Sequence, residues 1–138
     1  MRFATMLSLV LLLGFALPAA PGEADNPRPP TRVALQISDH DPIRQTMVLS
    51  VANNLANHYG EDAVEIEIVA FGPGLTLLRD TSQFADRVAA LADRGVRFSH
   101  CEITVASMEQ REGQRPRLLP ATTATPSGAV RIIDLVAK

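Results

Sequence analysis

The sequence of 138 residues contains a single cysteine, and this scarcity excludes several classes of protein. One cysteine cannot build an intramolecular disulfide framework, and no Cys-x-x-Cys pair is present to hold zinc or to perform dithiol chemistry. Charges of the two signs nearly balance, with 13 lysine and arginine residues against 15 aspartate and glutamate residues. The sequence therefore lacks the excess of positive charge that is typical of proteins that bind nucleic acid.

The short motifs of several enzyme classes are also missing. The sequence has no GxSxG motif of serine hydrolases and no HExxH motif of metalloproteases. The segment Gly72-Pro73-Gly74 has neither the GxGxxG spacing nor the following Lys-Ser/Thr of a phosphate-binding loop, so it predicts a backbone turn. We therefore expect neither a bound cofactor nor a metal ion.

The N-terminal segment has the pattern of a targeting signal. Residues 1–24 combine Arg2, an apolar run and then small residues, which is the order found in secretory signal peptides. The apolar run is shorter than the ~20 residues that a membrane-spanning helix needs. We predict a signal peptide at 1–24 and a Pro-rich leader at 25–31. After cleavage of the signal peptide, we expect a periplasmic protein that does not bind the membrane. The alternative is an uncleaved membrane anchor.

Residues 32–138 alternate short apolar runs, typical of strands, with segments of helical periodicity. Strands are predicted at 33–38, 64–68, 96–100 and 121–125, each followed by a helix. Asp41 and Pro42 suit the start of the first helix, and Gly60 suits its end. The alternation predicts one three-layer, Rossmann-like α/β domain with a mainly parallel sheet of four to five strands.

Glutamates alternate with apolar residues on the second predicted strand. Val64, Ile66 and Ile68 share one face, whereas Glu65 and Glu67 share the other. Paired carboxylates can hold a metal, but no histidine or third acid accompanies them, so the pattern favours a solvated face. Such a strand fits a sheet edge or a face that helices do not fully cover, and because association protects exposed edges we expect a homo-oligomer.

Cys101 is the leading candidate for chemistry because it ends the third predicted strand, where open α/β sheets place their sites. We expect it to be open to solvent. The helix predicted at 104–111 begins close behind, and its positive end favours the thiolate, whereas Glu102 opposes ionisation. The alternative is a buried structural cysteine.

Two histidines lie near the predicted edge. His100 precedes Cys101 directly, but neighbouring strand residues point to opposite faces, so we expect its side chain to point away. His40 follows the first strand at the same edge as the cysteine, where Asp39 or Asp41 could orient it. Cys101 and His40 are therefore the candidate catalytic residues. The alternative for His40 is a solvated loop residue or a helix cap.

The order and spacing of several segments resemble the DsrE/DsrF-like family, which includes the TusD- and YchN-type proteins. The segments, within residues 32–137, are VALQIS, VANNL, VEIEIVAFGPGL, LADRGVRFSHCEIT and PSGAV. The resemblance implies a Rossmann-like domain that assembles into trimers or hexamers. In sulfur-relay members a cysteine after the third strand carries persulfide sulfur, and Cys101 matches that position. Members usually close with a short strand after the last helix, so we expect either a sheet one strand short or a truncated chain.

The resemblance implies a sulfur carrier or sulfurtransferase-like protein that holds a persulfide on Cys101, and the N-terminal pattern adds the prediction that it is exported. Its partners would be a sulfur donor and acceptor, either proteins or small sulfur compounds, and it would need no cofactor. The sulfur-relay members are cytoplasmic, whereas this sequence predicts export. The alternative is a non-enzymatic oligomeric protein that binds a small ligand or a partner and in which Cys101 is structural.

Overall fold

The computed structural model describes residues 28–137. The predicted signal peptide at 1–24, the first three residues of the predicted leader and Lys138 lie outside the described residues. Residues 28–30 precede the first strand without regular structure, and that strand begins at Thr31, inside the predicted leader. No helix of the described part is long and apolar enough to cross a bilayer.

Within residues 28–137, four parallel strands alternate with helices. The strands are β1 (Thr31–Ile37), β2 (Val64–Ala70), β3 (Arg97–Cys101) and β4 (Thr122–Thr125). The α-helices are α1 (Pro42–Tyr59), α2 (Ala85–Asp93), α3 (Glu102–Glu112) and α4 (Gly128–Val136). Neighbouring strands pair in the order β1-β2-β3-β4, and every pair is parallel. The predicted α/β class with a parallel sheet is confirmed.

Helix α1 begins and ends where the sequence predicts. The Asp41 carboxylate accepts a hydrogen bond from the Ile43 N–H at 2.8 Å, and Pro42 occupies the first helical position, where its missing N–H costs nothing. At the other end Gly60 takes a φ of 86°, a conformation that favours glycine, and its N–H donates to the Ala56 carbonyl. Local capping chemistry therefore fixes the length of this helix.

The helices lie on both faces of the sheet and complete three layers. Helices α1 and α2 cover one face, where the main core consists of apolar side chains that include Leu49, Ala52, Ile66, Ile68, Val88, Leu91 and Phe98. Successive strand residues face opposite sides, so Glu67 of β2 points away from this core. Arg131 of α4 bonds Glu67, which places α4 on the other face. The three-layer, Rossmann-like architecture is therefore confirmed.

Strand β2 is not an edge strand, contrary to the sequence-based expectation. It lies between β1 and β3, so that β1 and β4 are the edges of the described sheet. Glu67 is only 1% exposed, and the solvated face predicted for it is wrong. Glu65 is partly exposed and lies 3.5 Å from Arg32. The argument for association from an exposed β2 therefore fails, although the expectation of an oligomer is untouched.

The segment Gly72-Pro73-Gly74 begins a 3-10 helix (Gly72–Leu78) rather than forming a simple turn. Gly74 packs so closely on the end of β1 that a Cβ atom there would overlap the Ile37 backbone. Gly72 has a φ of 54°, which also favours glycine. Close backbone packing therefore explains Gly74, and the positive φ explains Gly72.

Candidate functional site

Cys101 lies at the junction of three elements. It is the last residue of β3, the N-cap of α3 and the register partner of Thr125 in β4. The structure places it at the carboxyl edge of the sheet, as predicted, but its side chain is buried, with 5% exposure. The expected opening to solvent is therefore wrong, because α4 covers this side of β3.

The Cys101 sulfur lies at the N-termini of two helices. Helix α3 begins at Glu102, earlier than predicted, so the backbone N–H groups of Ile103 and Thr104 in its first turn lie near Sγ. The N–H of Gly128, the first residue of α4, also lies near Sγ. These N–H groups have no acceptor within their own helix. They form an anion-binding set around the sulfur.

This donor set decides the ionisation of the thiol. Burial raises the pKa of Cys101, but the hydrogen bonds from Gly128, Thr104 and Ile103 together lower it below the usual value of a thiol. A buried cysteine without such donors would be an inert thiol. The geometry therefore makes the thiolate easier to form than it would be for a buried cysteine without such donors.

The Thr104 side chain adds a hydroxyl donor that sequence reasoning missed. Its Oγ1 accepts a hydrogen bond from the Gly72 N–H at 2.8 Å, and its hydroxyl is among the groups that lower the pKa of Cys101. Because the Gly72 N–H needs only an acceptor lone pair of the oxygen, the hydroxyl proton remains available to the sulfur. The 3-10 helix after β2 thus takes part in the site through one hydrogen bond.

Helix α4 presents its N–H to the sulfur because two contacts hold it near the sheet. Gly128 packs on Phe71, and a Cβ atom at residue 128 would lie 2.9 Å from the aromatic ring. One helical turn further, Arg131 donates two hydrogen bonds to the Glu67 carboxylate, each of 2.7 Å. Gly128 is the buried residue of α4, so this ion pair is a principal attachment of the helix.

Glu67 remains ionised although it is buried. Burial raises its pKa, but hydrogen bonds from Arg131, Ser99 and Arg97 outweigh burial and lower the pKa to about 2. The Ser99 hydroxyl donates at 2.6 Å, and the Arg97 guanidinium donates at 3.2 Å. A buried carboxylate with this many donors is well compensated. We conclude that Glu67 is the docking point of α4 rather than a surface carboxylate.

The negative charge of Glu102 next to the cysteine is largely offset. The Arg115 guanidinium donates to both carboxylate oxygens, at 2.9 and 2.8 Å, and holds the pKa of Glu102 below its usual range. His100 Nε2 lies 3.1 Å from the same carboxylate. The opposition of Glu102 to ionisation of Cys101, expected from the sequence, is therefore weakened.

The two histidines do not contact the sulfur donor set. His100 points away from Cys101, as the strand alternation predicts, and its Nδ1 lies 3.1 Å from Thr122 Oγ1. His40 does lie at the same sheet edge, but its side chain is 76% exposed and its Nδ1 is 4.0 Å from Asp39 Oδ1. The donors to Sγ are backbone N–H groups and one hydroxyl. The structure thus brings His40 to the edge without making it a partner of the thiol.

Residues 28–137 contain no cluster of three or more histidine, cysteine or carboxylate side chains that could hold a metal ion. The chemistry that the site offers is that of a stabilised sulfur anion. Oriented N–H donors lower the energy of a charged sulfur and need no reorganisation when it forms. A thiolate in this setting can act as a nucleophile toward a second sulfur atom.

The fold is similar to that of a solved structure, MTH1491, a protein of unknown function from Methanobacterium thermoautotrophicum. The two chains share 29% sequence identity with a TM-score of 0.69, and the match covers 78% of this chain and 92% of that one. No family model and no curated protein matches the sequence. The similarity supports the Rossmann-like α/β class, and function has to be argued from the site itself.

Proposed function

We propose that this protein is a sulfur carrier, of the sulfurtransferase type, that holds a transferable sulfur atom as a persulfide on Cys101. The observation that carries the proposal is the convergence of N–H groups from α3 and α4 on one buried sulfur. A persulfide is an anion at neutral pH, and its charge needs the donors that a thiolate needs. The resemblance to the DsrE/DsrF-like family, in which a cysteine after the third strand has this role, supports the same assignment.

The proposed reaction has two steps that balance without an external oxidant. The Cys101 thiolate attacks the sulfane sulfur of a donor, the bond from that sulfur to the donor breaks, and the leaving group departs with the electron pair. In the second step an acceptor thiolate or sulfite attacks the terminal sulfur, and the Cys101 thiolate leaves. The Gly128 and Ile103 N–H groups stabilise the thiolate that attacks in the first step and the negative charge that returns to Cys101 in the second.

Export is a separate part of the proposal and rests on the pattern of residues 1–24 alone. We propose that the mature protein is periplasmic and begins between Ala20 and Asp25. N-terminal sequencing of protein recovered from the periplasm tests this, and retained Met1 on membrane-bound protein would contradict it. The outcome does not alter the assignment of Cys101.

A second candidate function is a non-enzymatic oligomer that binds a partner or a second copy. Two observations favour it: the burial of Cys101, and the apolar side chains exposed on α4 and at the start of α3. These side chains are Val130, Ile133, Val136 and Ile103, which are between 54% and 70% exposed. In this case the thiol would not accept sulfur.

Intact mass after incubation with thiosulfate or polysulfide separates the two functions. The carrier function predicts a gain of one sulfur atom that dithiothreitol removes, and it predicts no gain in Cys101→Ser. Because Cys101 is the single cysteine, the mass change can be assigned to it directly. An unchanged mass with every sulfane donor would contradict the carrier function.

A further inference from the structure

A groove of about 580 Å³ lies at the carboxyl edge of the sheet and runs along α3 from its first turn to its last. His40 lines one side, and Ile103, Thr104, Ser107 and Arg111 of α3 line the other. As far as residues 28–137 define it, no carboxylate lines this groove. Its ionisable side chains are therefore those of arginine and histidine, which suits a ligand of negative charge.

Arg111 supplies a positive charge that no carboxylate of residues 28–137 approaches within 4.0 Å. Its Nη1 donates to Ser107 Oγ at 2.7 Å, which holds the guanidinium along α3. The neighbouring carboxylate of Glu112 is occupied instead by Arg79, at 2.9 and 3.0 Å. The other N–H groups of Arg111 are therefore free for an anion in the groove.

Some of the remaining hydrogen-bond donors of the groove are already paired within the protein, whereas others are free to bind a ligand. The Gly72 N–H is bonded to Thr104, and the Thr76 hydroxyl donates to the Pro73 carbonyl. The Ser107 hydroxyl accepts from Arg111 and retains its own proton. Ile103 adds an apolar side chain that is 65% exposed. The groove thus offers a charged, hydrogen-bonding end and an apolar wall.

We infer that this groove binds a small sulfur oxoanion with a terminal sulfane sulfur, of the thiosulfate class, with Arg111 as its main contact. The inference rests on the proposed function. Such a ligand combines a charged oxoanion head, which suits the guanidinium, with a polarizable sulfur, which suits the apolar wall. Thr104 lines the groove and also lies near Cys101 Sγ, so the groove reaches the surroundings of the nucleophile.

The transfer step balances for this donor. The Cys101 thiolate bonds to the outer sulfur of thiosulfate, the sulfur–sulfur bond of thiosulfate breaks, and sulfite leaves with the electron pair. The total charge is the same before and after, and no oxidant or reductant is needed. Arg111 binds the sulfonate part, which is the leaving group, and so stabilises the charge that develops on it.

Two variants with the same change of net charge test the groove. Arg111→Gln removes the proposed contact. Arg87→Gln is the control, because Arg87 on α2 also donates to a serine hydroxyl, that of Ser50 at 3.2 Å, and lies outside the groove. We expect Arg111→Gln to lower the second-order rate of persulfide formation from thiosulfate about tenfold, the effect of losing one charge-assisted hydrogen bond. Arg87→Gln should stay within about twofold of the parent protein, as expected for a surface change.

Alkylation of the single cysteine by a charged and a neutral reagent provides a second readout. Arg111→Gln should slow the reaction of Cys101 with iodoacetate and leave the reaction with iodoacetamide unchanged. Two results would overturn the assignment of the groove while leaving the carrier function in place. One is persulfide formation from polysulfide but not from thiosulfate. The other is an equal rate of reaction with thiosulfate in Arg111→Gln and the parent protein. If no donor yields a persulfide, the carrier function and this inference fail together.

Discussion

The two faces of the sheet are stabilised by different interactions. On the face of α1 and α2, side chains such as Leu49, Val88 and Phe98 are almost wholly buried in an apolar core. On the face of α4, the main attachment is the ion pair between Arg131 and Glu67, and much of the helix surface is exposed. Stability is therefore concentrated on the first face, whereas the second face positions the N–H groups that bind the Cys101 sulfur.

The largest expected effect on stability is that of a substitution in the apolar core, on the face covered by α1 and α2. Phe98 is 1% exposed, so Phe98→Ala should lower the free energy of unfolding by about 3–5 kcal/mol, through lost burial and the cavity left behind. Ile133→Ala on the exposed side of α4 is the control, and it should change stability by less than about 0.5 kcal/mol. Urea unfolding measures both. Similar losses in the two variants would contradict the contrast between the faces.

Removal of the buried charge of Glu67, on the face covered by α4, should have the next largest effect on stability. Glu67→Gln leaves Arg131 without its carboxylate and leaves Arg97 only the more distant Glu65, at 3.7 Å. We expect the free energy of unfolding to fall by about 3 kcal/mol, at the low end of the range for buried pairs, because both arginines are partly exposed. The folded pKa of about 2 lies below the ordinary 4.5, so this stabilisation is complete above pH 4.5 and is lost as the pH falls toward 2.

Unfolding free energies measured across this range of pH test the assignment. The parent protein should lose stability between pH 4.5 and 2, and Glu67→Gln should lose less over the same range. Equal pH dependence in the two proteins would show that Glu67 does not carry the buried charge.

Removal of the ion pair between Arg131 and Glu67 should have a smaller effect, on the pKa of the Cys101 thiol. Arg131→Met releases the first turns of α4, so the Gly128 N–H should stabilise the sulfur anion less well and the pKa of Cys101 should rise. Arg94→Met is the matched control, because Arg94 pairs with Glu61 at 2.7 Å away from the site. Alkylation rates as a function of pH give both values. An unchanged pKa in Arg131→Met would show that α4 does not depend on this ion pair.

The smallest effect on folding concerns the exposed apolar side chains of α4. Ile133→Ser should leave the free energy of unfolding of the monomer within about 0.5 kcal/mol of the parent, because the side chain is 62% exposed. If this surface mediates the proposed homo-oligomer, the same variant should lower the mass measured by light scattering. A parent protein that is monomeric at micromolar concentration would refute the oligomer.

The parts of the fold that depend on local chemistry could be predicted from the sequence. Asp41, Pro42 and Gly60 bound α1 as predicted, since caps act within a few residues. The environment of β2 was predicted wrongly, because alternating glutamates are also expected on a solvated strand. The residue that compensates Glu67 is Arg131, which lies 64 positions further along the chain. No local pattern could reveal that partner.

The candidate site also has features that could be predicted from the sequence and features that could not. The position of Cys101 at the end of β3 and the direction of the His100 side chain away from Cys101 follow from strand order and alternation, and both were predicted. The Gly128 N–H and the Gly72–Thr104 hydrogen bond depend on how separate loops meet at one edge. A glycine opening the last helix was the available signal for the first contact, since only glycine permits the approach to Phe71.

The pH dependence of Cys101 alkylation by iodoacetamide tests the central claim most directly, because it reports the energy of the sulfur anion in the folded protein. Burial without adequate donors would raise the pKa of Cys101, whereas the observed donor set lowers it. We predict a midpoint below the ~8.5 of a free cysteine. The midpoint should be higher in Thr104→Val and restored in Thr104→Ser, which keeps the hydroxyl. A parent midpoint at or above ~8.5, or no reaction of the folded protein, would contradict the account.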